Sequence, residues 1–174
     1  MVSVTERAPV PAPFAAIDLS RWVLTLTDED YRQCAPGEHR ACGASVASDG
    51  SRTLICVEVV GGQLMVQRYR PVVMSATHCR LVSISDVFNA PNWITVEVIW
   101  DISVVSASDG NAVFTNSIVS KATPTFLATL DRVGVSFSDA ARTRAAAAAD
   151  HNRRETPLFA AQIARLAGDR RPQA

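Results

Sequence analysis

At 174 residues, with 48% hydrophobic and 20% charged side chains, the chain suits one folded domain with a sizeable core and excludes global disorder. Lys plus Arg equals Asp plus Glu at 17 each, so no summed field draws nucleic acid or an anionic membrane surface. No apolar run approaches the roughly 20 residues that span a bilayer, which excludes a helical membrane protein.

Residues 1–13 carry Pro9, Pro11 and Pro13 among small side chains and show neither the basic start nor the apolar stretch of a secretory leader. They are expected to form a flexible lead, followed by one domain over residues 14–168 and a tail over 169–174. The expected setting is cytoplasmic, where Cys34, Cys42, Cys56 and Cys79 stay reduced. Cys34, His39 and Cys42 form a C-x4-H-x2-C string, but a structural zinc needs a fourth ligand and none lies at close spacing. No metal and no cofactor are expected.

From Ile17 to Cys34, Trp22, Leu26 and Tyr31 recur near helical spacing, and Thr27 before Asp28, Glu29 and Asp30 reads as an N-cap with an acidic first turn. One or two short helices are expected, stopped by Pro36 and Gly37. The period then changes. Arg40 to Ala47, Thr53 to Val60, Gln63 to Val73, Thr77 to Phe88, Trp93 to Val105 and Ala112 to Lys121 are six β-rich runs. Asp49-Gly50, Gly61-Gly62, Met74 to Ala76, Asn89 to Asn92 and Asp109-Gly110 separate them, and Gly-Gly and Asp-Gly supply the positive φ of tight hairpins. Neighbouring runs therefore pair as an antiparallel meander.

After Thr123-Pro124 a short helix is expected around Phe126 to Asp131, then a long one from Ser138 to Ala167 with Ser138 as N-cap. Thr156-Pro157 matches an N-cap followed by proline, so a kink or restart is expected there. Leu158, Phe159, Ile163 and Leu166 give the last half one apolar stripe. From Asp131 onward eight Arg face five acidic residues, which reads as a solvated helix face.

Hairpin register assigns faces. If Phe88 pairs with Trp93, then Cys79, Leu81, Ser83, Ser85 and Val87 share a face with Ile94, Val96, Val98, Trp100 and Ile102, while Arg80 meets Asp101 on the solvent side. Small polar Ser83 and Ser85 on a buried face leave either room for a ligand or hydroxyls satisfied by neighbouring backbone. The Gly61-Gly62 hairpin stacks Cys56, Glu58, Met65, Gln67 and Tyr69 on one side, and Ile55, Val57, Val59, Leu64 and Val66 on the other. The apolar side reads as ordinary core. Glu58, Gln67 and Tyr69 are then either solvent-facing, the preferred reading, or the polar wall of a cavity.

His151 and Glu155 are spaced i, i+4 at the expected helix break, so they can form an acid/base pair or cap the exposed helix ends. They are the catalytic candidates. Ligand contact is expected from Tyr69, Cys79, Leu81, Ser83, Ser85, Val98, Trp100 and Asn116. No G-x-S-x-G, P-loop, G-x-G-x-x-G or H-E-x-x-H string occurs, which removes the commonest hydrolase, nucleotide and zinc-protease readings.

The order of short helices, antiparallel meander and long C-terminal helix resembles the SRPBCC/START helix-grip superfamily over residues 14–168. The resemblance implies an α+β fold whose curved six-strand sheet grips the last helix around a cavity for a small apolar or aromatic molecule. Cofactor-free cyclase, isomerase or dehydratase chemistry and non-catalytic carriage of a hydrophobic ligand both fit it. The cone-shaped SnoaL-like barrel is the competing fold, but there the main helices precede most strands. A homodimer through an exposed sheet edge is the remaining alternative.

Overall fold

The computed structural model describes residues 1–89 and 92–168. The expected 169–174 tail and the centre of the Asn89 to Asn92 turn lie outside them. Among the described residues, the chain runs β1 (Val2–Val10), a 3-10 turn (Phe14–Ala16), α1 (Leu19–Thr25) and α2 (Asp28–Cys34). There follow β2 (His39–Val46), β3 (Arg52–Val60), β4 (Gln63–Met74), β5 (His78–Asn89), β6 (Asn92–Ser106), β7 (Ala112–Ala122), α3 (Pro124–Val133) and α4 (Phe137–Gly168). One antiparallel sheet holds the strands in the order β1-β7-β6-β5-β4-β3-β2.

The sheet has seven strands, not six, because Val2–Val10 is the edge strand β1 and not a flexible lead. It pairs with β7 from Val2 opposite Ser120 to Val10 opposite Ala112. Pro9 is tolerated because an edge strand can lack a donor on its open side. The other turns behave as their residues dictate: Phe88 pairs with Trp93 and Val60 with Gln63. At the β3–β4 turn Gly61 has φ +59, and a Cβ there would stand 2.9 Å from Cβ of Ala147. Glycine is thus required twice over, by the turn and by the helix lying against it.

Thr27 caps α2 by accepting from the Asp30 amide, and Thr123 caps α3 by accepting from Phe126. For α4 the cap is Ser136 and not Ser138: its hydroxyl accepts from the Asp139 amide at 3.1 Å. α4 also continues through Pro157 without a restart. Arg153, whose carbonyl loses its amide partner, and Pro157 both lie on the exposed side, where the missing bond leaves no buried polar group. Thr156 does not cap a new helix; its hydroxyl donates to the Asn152 carbonyl at 2.6 Å.

The inner face of β5 and β6 is buried as the register requires, and Trp22, Trp100, Phe114 and Phe159 meet edge-on or tilted at centroid distances of 5.2–6.1 Å. This joins α1, β6, β7 and α4 in one apolar centre. For β3 and β4 the expected faces are reversed. Cys56, Glu58, Met65, Gln67 and Tyr69 are buried, whereas Ile55, Val57, Val59, Leu64 and Val66 are half-exposed. The stripe of α4 differs too: Phe159 and Ile163 are buried, Leu166 partly so, but Leu158 is 41% exposed.

Helix and sheet are held together by a polar clamp as well as by packing. Asn116 on β7 is fully buried; its Nδ2 donates toward Asn152 (2.6 Å), Glu155 (3.0 Å) and Thr156 (3.1 Å). Its Oδ1 accepts from Trp100 Nε1 at 2.8 Å, and Asn152 returns a bond to the Asn116 carbonyl. Replacing Asn116 with leucine keeps the branched shape but strands these partners in a dry interior. We expect a loss of about 3 kcal/mol in denaturant unfolding, against a change within about 0.5 kcal/mol for Ser117→Ala on the opposite face.

Candidate functional site

Between the concave sheet and α4 lies an inner cavity of about 60 Å³. Its walls are apolar at Val60, Val98, Ile118 and Phe159, and its polar end is formed by Glu58, His151 and Glu155. A larger cleft of about 430 Å³ opens between α3, the first half of α4 and the β3–β4 turn. Val60 and Arg144 border both spaces. Arg144 therefore stands at the partition, its guanidinium donating to Ser120 Oγ at 3.3 Å and Gln63 Oε1 at 3.2 Å. Burial lowers its pKa, and the Glu58 charge counters this.

The polar end is assembled from two pairs. His39 and Glu58 are directly opposite one another on β2 and β3, and His151 and Glu155 are one turn apart on α4. The helix lays its pair over the strand pair. His39 Nε2 is 3.3 Å from His151 Nε2 and 3.2 Å from Glu155 Oε2. Glu58 Oε2 lies 3.8 Å from His39 Nε2 and 3.6 Å from His151 Nε2.

Each member is oriented by a further partner. The His39 ring stacks on Tyr31 at 3.7 Å, and its Nδ1 donates to the Tyr31 carbonyl at 2.6 Å. His151 Nδ1 donates to Glu38 Oε2 at 2.7 Å, a carboxylate that Arg154 also grips. Glu58 accepts from Tyr31 Oη at 2.9 Å and Gln67 Nε2 at 2.8 Å. Glu155 accepts from Asn116.

Burial alone would push His151 toward its neutral form, but hydrogen bonds and charge from Glu155 and Glu58 hold its pKa up, to about 11. Burial likewise opposes the charge on Glu155, and bonds to His151 and His39 outweigh it, bringing the carboxyl down to about 2. The same balance leaves Glu58 lowered. Tyr31 and Tyr69 are raised, first by burial and then by the Glu58 charge, so both remain neutral phenols.

Of the side chains expected from sequence, His151, Glu155, Tyr69, Val98 and Trp100 line the inner cavity. Cys79, Leu81, Ser83 and Ser85 do not; they fill the sheet's inner face toward α1. Ser83 accepts from the Arg68 amide at 2.8 Å and from Ser85 at 3.1 Å, so their hydroxyls serve the structure itself. Asn116 also lies off the cavity, in the clamp. From sequence, Tyr31 is missed, His39 is considered only as a zinc ligand beside Cys34 and Cys42, and the inward course of Glu58 and Gln67 is the less favoured of two readings. The β2–β3 pairing that sets His39 opposite Glu58 is the signal that could have found them.

No family model matches the chain, and no curated protein matches it in sequence. Among solved structures it is similar to the Zhui aromatase/cyclase from Streptomyces sp. R1128, at 12% identity and TM-score 0.62 over 94% of this chain and 93% of that one. It is similar to the di-domain ARO/CYC StfQ from the steffimycin biosynthetic pathway, at 11% identity and TM-score 0.56 over 97% of this chain and 53% of that one. A conserved protein from Geobacillus kaustophilus matches at 9% identity and TM-score 0.53, over 94% and 96% of the two chains. Meander, terminal helix and these likenesses agree: the chain has the helix-grip fold, a curved antiparallel sheet around a long terminal helix.

Proposed function

We propose that the chain binds a small apolar or aromatic molecule between sheet and α4 and converts it, as an enzyme of cyclase, isomerase or dehydratase type. The observation that carries this reading is the asymmetry of the site. An outer cleft of about 430 Å³, within the usual range of roughly 300–1,000 Å³ for small-molecule sites, adjoins a small inner space with one polar end. The molecule's body occupies the outer cleft against Phe126, Leu130 and Ile94. Its reacting end passes Arg144 to reach Glu58, His151 and Glu155.

Burial of apolar area supplies affinity, while the polar end supplies orientation and groups able to hold or move a proton. The similarity to structures titled aromatase/cyclase supports the substrate class. Purified protein offered polyketide-like aromatic precursors should release an altered product by mass spectrometry, and the His151→Ala, Glu155→Ala double variant should not. Turnover that survives in the double variant removes these two residues from the chemistry.

A second reading, carriage without conversion, is favoured by the apolar walls of both spaces. It predicts a co-purified molecule in native mass spectra and no product from any precursor that binds. In either case Arg144 governs passage inward. Arg144→Ala should merge the two spaces and shift selection toward longer ligands, lowering the Kd of a bulky fluorescent aromatic probe about tenfold, or roughly 1.4 kcal/mol. An unchanged preference would place the molecule wholly outside the partition.

A further inference from the structure

Three ligand-type atoms converge between β2 and α4, with a fourth beside them on β3. Nε2 of His39, Nε2 of His151 and Oε2 of Glu155 stand 3.2–3.3 Å apart in every pairing. Oε2 of Glu58 lies 3.6 and 3.8 Å from the two nitrogens. Around an ion bonded at about 2.1 Å, as zinc is to imidazole nitrogen and carboxylate oxygen, tetrahedral ligand atoms are about 3.4 Å apart. The observed separations bracket that edge.

The outer hydrogen bonds fix where each lone pair points. A backbone carbonyl can only accept, so Nδ1 of His39 carries its hydrogen toward Tyr31; the bond to the Glu38 carboxylate does the same for His151. With the far nitrogens so held, an ion need only displace the Nε2 proton that His151 shares with Glu155 and Glu58; both imidazoles then turn Nε2 to the common centre, as metal-bound histidines do when a carbonyl or carboxylate holds the far nitrogen. Gln67, Tyr31 and Asn116 hold the two glutamates from behind.

Rigid elements carry all four groups, as one cross-strand pair and one helical-turn pair. The four side chains are 0–11% exposed. Without an ion, protonated His151 offsets only part of the charge on the two buried carboxylates, whereas a dication offsets both.

We propose that His39, His151 and Glu155 bind one divalent transition-metal ion beside Glu58, zinc being the best match. Two imidazoles with a carboxylate suit zinc and its first-row neighbours, whereas magnesium and calcium favour all-oxygen sets. The sequence-based expectation of no metal rested on the string Cys34, His39 and Cys42 lacking a fourth ligand; of the three only His39 takes part, and Cys42 Sγ faces Cys56 Sγ at 3.7 Å. The fold brings the other ligands from α4. An ion there faces the inner cavity through Glu58, His151 and Glu155, where it can polarise an oxygen of a molecule held in the cavity. Its binding is independent of whether that molecule is converted or carried.

The test uses the full chain, stripped with a chelator and titrated with zinc, cobalt(II) and magnesium. One equivalent of zinc or cobalt should bind, with the visible absorption of four-coordinate cobalt, and zinc but not magnesium should raise the Tm. His39→Ala and His151→Ala should each weaken zinc binding by at least about 100-fold, and Glu38→Gln, outside the ligand set, by about 10-fold. Glu38→Gln and the wild-type titration decide the matter even if a histidine variant fails to fold. The proposal is overturned if the folded, stripped protein takes up neither zinc nor cobalt, or if Glu38→Gln and the folded histidine variants hold zinc as tightly as the wild type.

Discussion

Half of the face that α4 turns to the sheet is polar, and the rest of the structure answers to that fact. His151, Asn152, Glu155 and Thr156 are all buried on it. A buried polar group left without a partner costs about 1–3 kcal/mol, and a buried charge costs more. The sheet therefore supplies a matching polar patch at the same height: Asn116 on β7, Glu58 on β3, Gln67 on β4 and His39 on β2. One turn further along, Phe159 and Ile163 return the helix to ordinary apolar packing. The join between the two regimes fixes the height and rotation of α4 over the sheet, because sliding it would unpair every polar contact at once.

The same arrangement divides the interior. Beyond Phe159 the space is filled by Trp22, Trp100 and Phe114. Before His151 the helix is rich in alanine, and small side chains facing a curved sheet leave volume unfilled. At the boundary, apolar walls end in fixed polar groups. α3 has no buried residue, so the cleft is bounded on that side by an element with little packing of its own. Such elements open at low cost.

Much of the fold was legible because its signals are local. Alternation and turn residues place six strands to within a residue or two, and Thr27 and Thr123 cap helices through short-range bonds. β1 was not legible, since Pro9 reads as a strand breaker unless the strand is known to lie at an edge. The β3–β4 hairpin shows the limit of hydrophobicity as a guide. Its register was readable, but the β-branched side, which suits a half-exposed sheet surface, looked more like core than the side bearing Glu58 and Gln67. His151 and Glu155 stood out through helical spacing. His39 did not, because what makes it part of the site is a cross-strand neighbour and a helix more than a hundred residues away.

That separation in the chain bears on biogenesis. His39 and His151 are 112 positions apart, and α4, the element that completes the core, is synthesised after every strand. Until it emerges, the sheet presents a concave apolar face on which His39, Glu58 and Asn116 lack their partners from the helix. Non-local closure of this kind slows folding and prolongs the exposure of sticky surface. The nascent sheet is thus the form of this protein most in need of a chaperone, and a ribosome stalled before Asp150 would release a chain that has every strand and no interior.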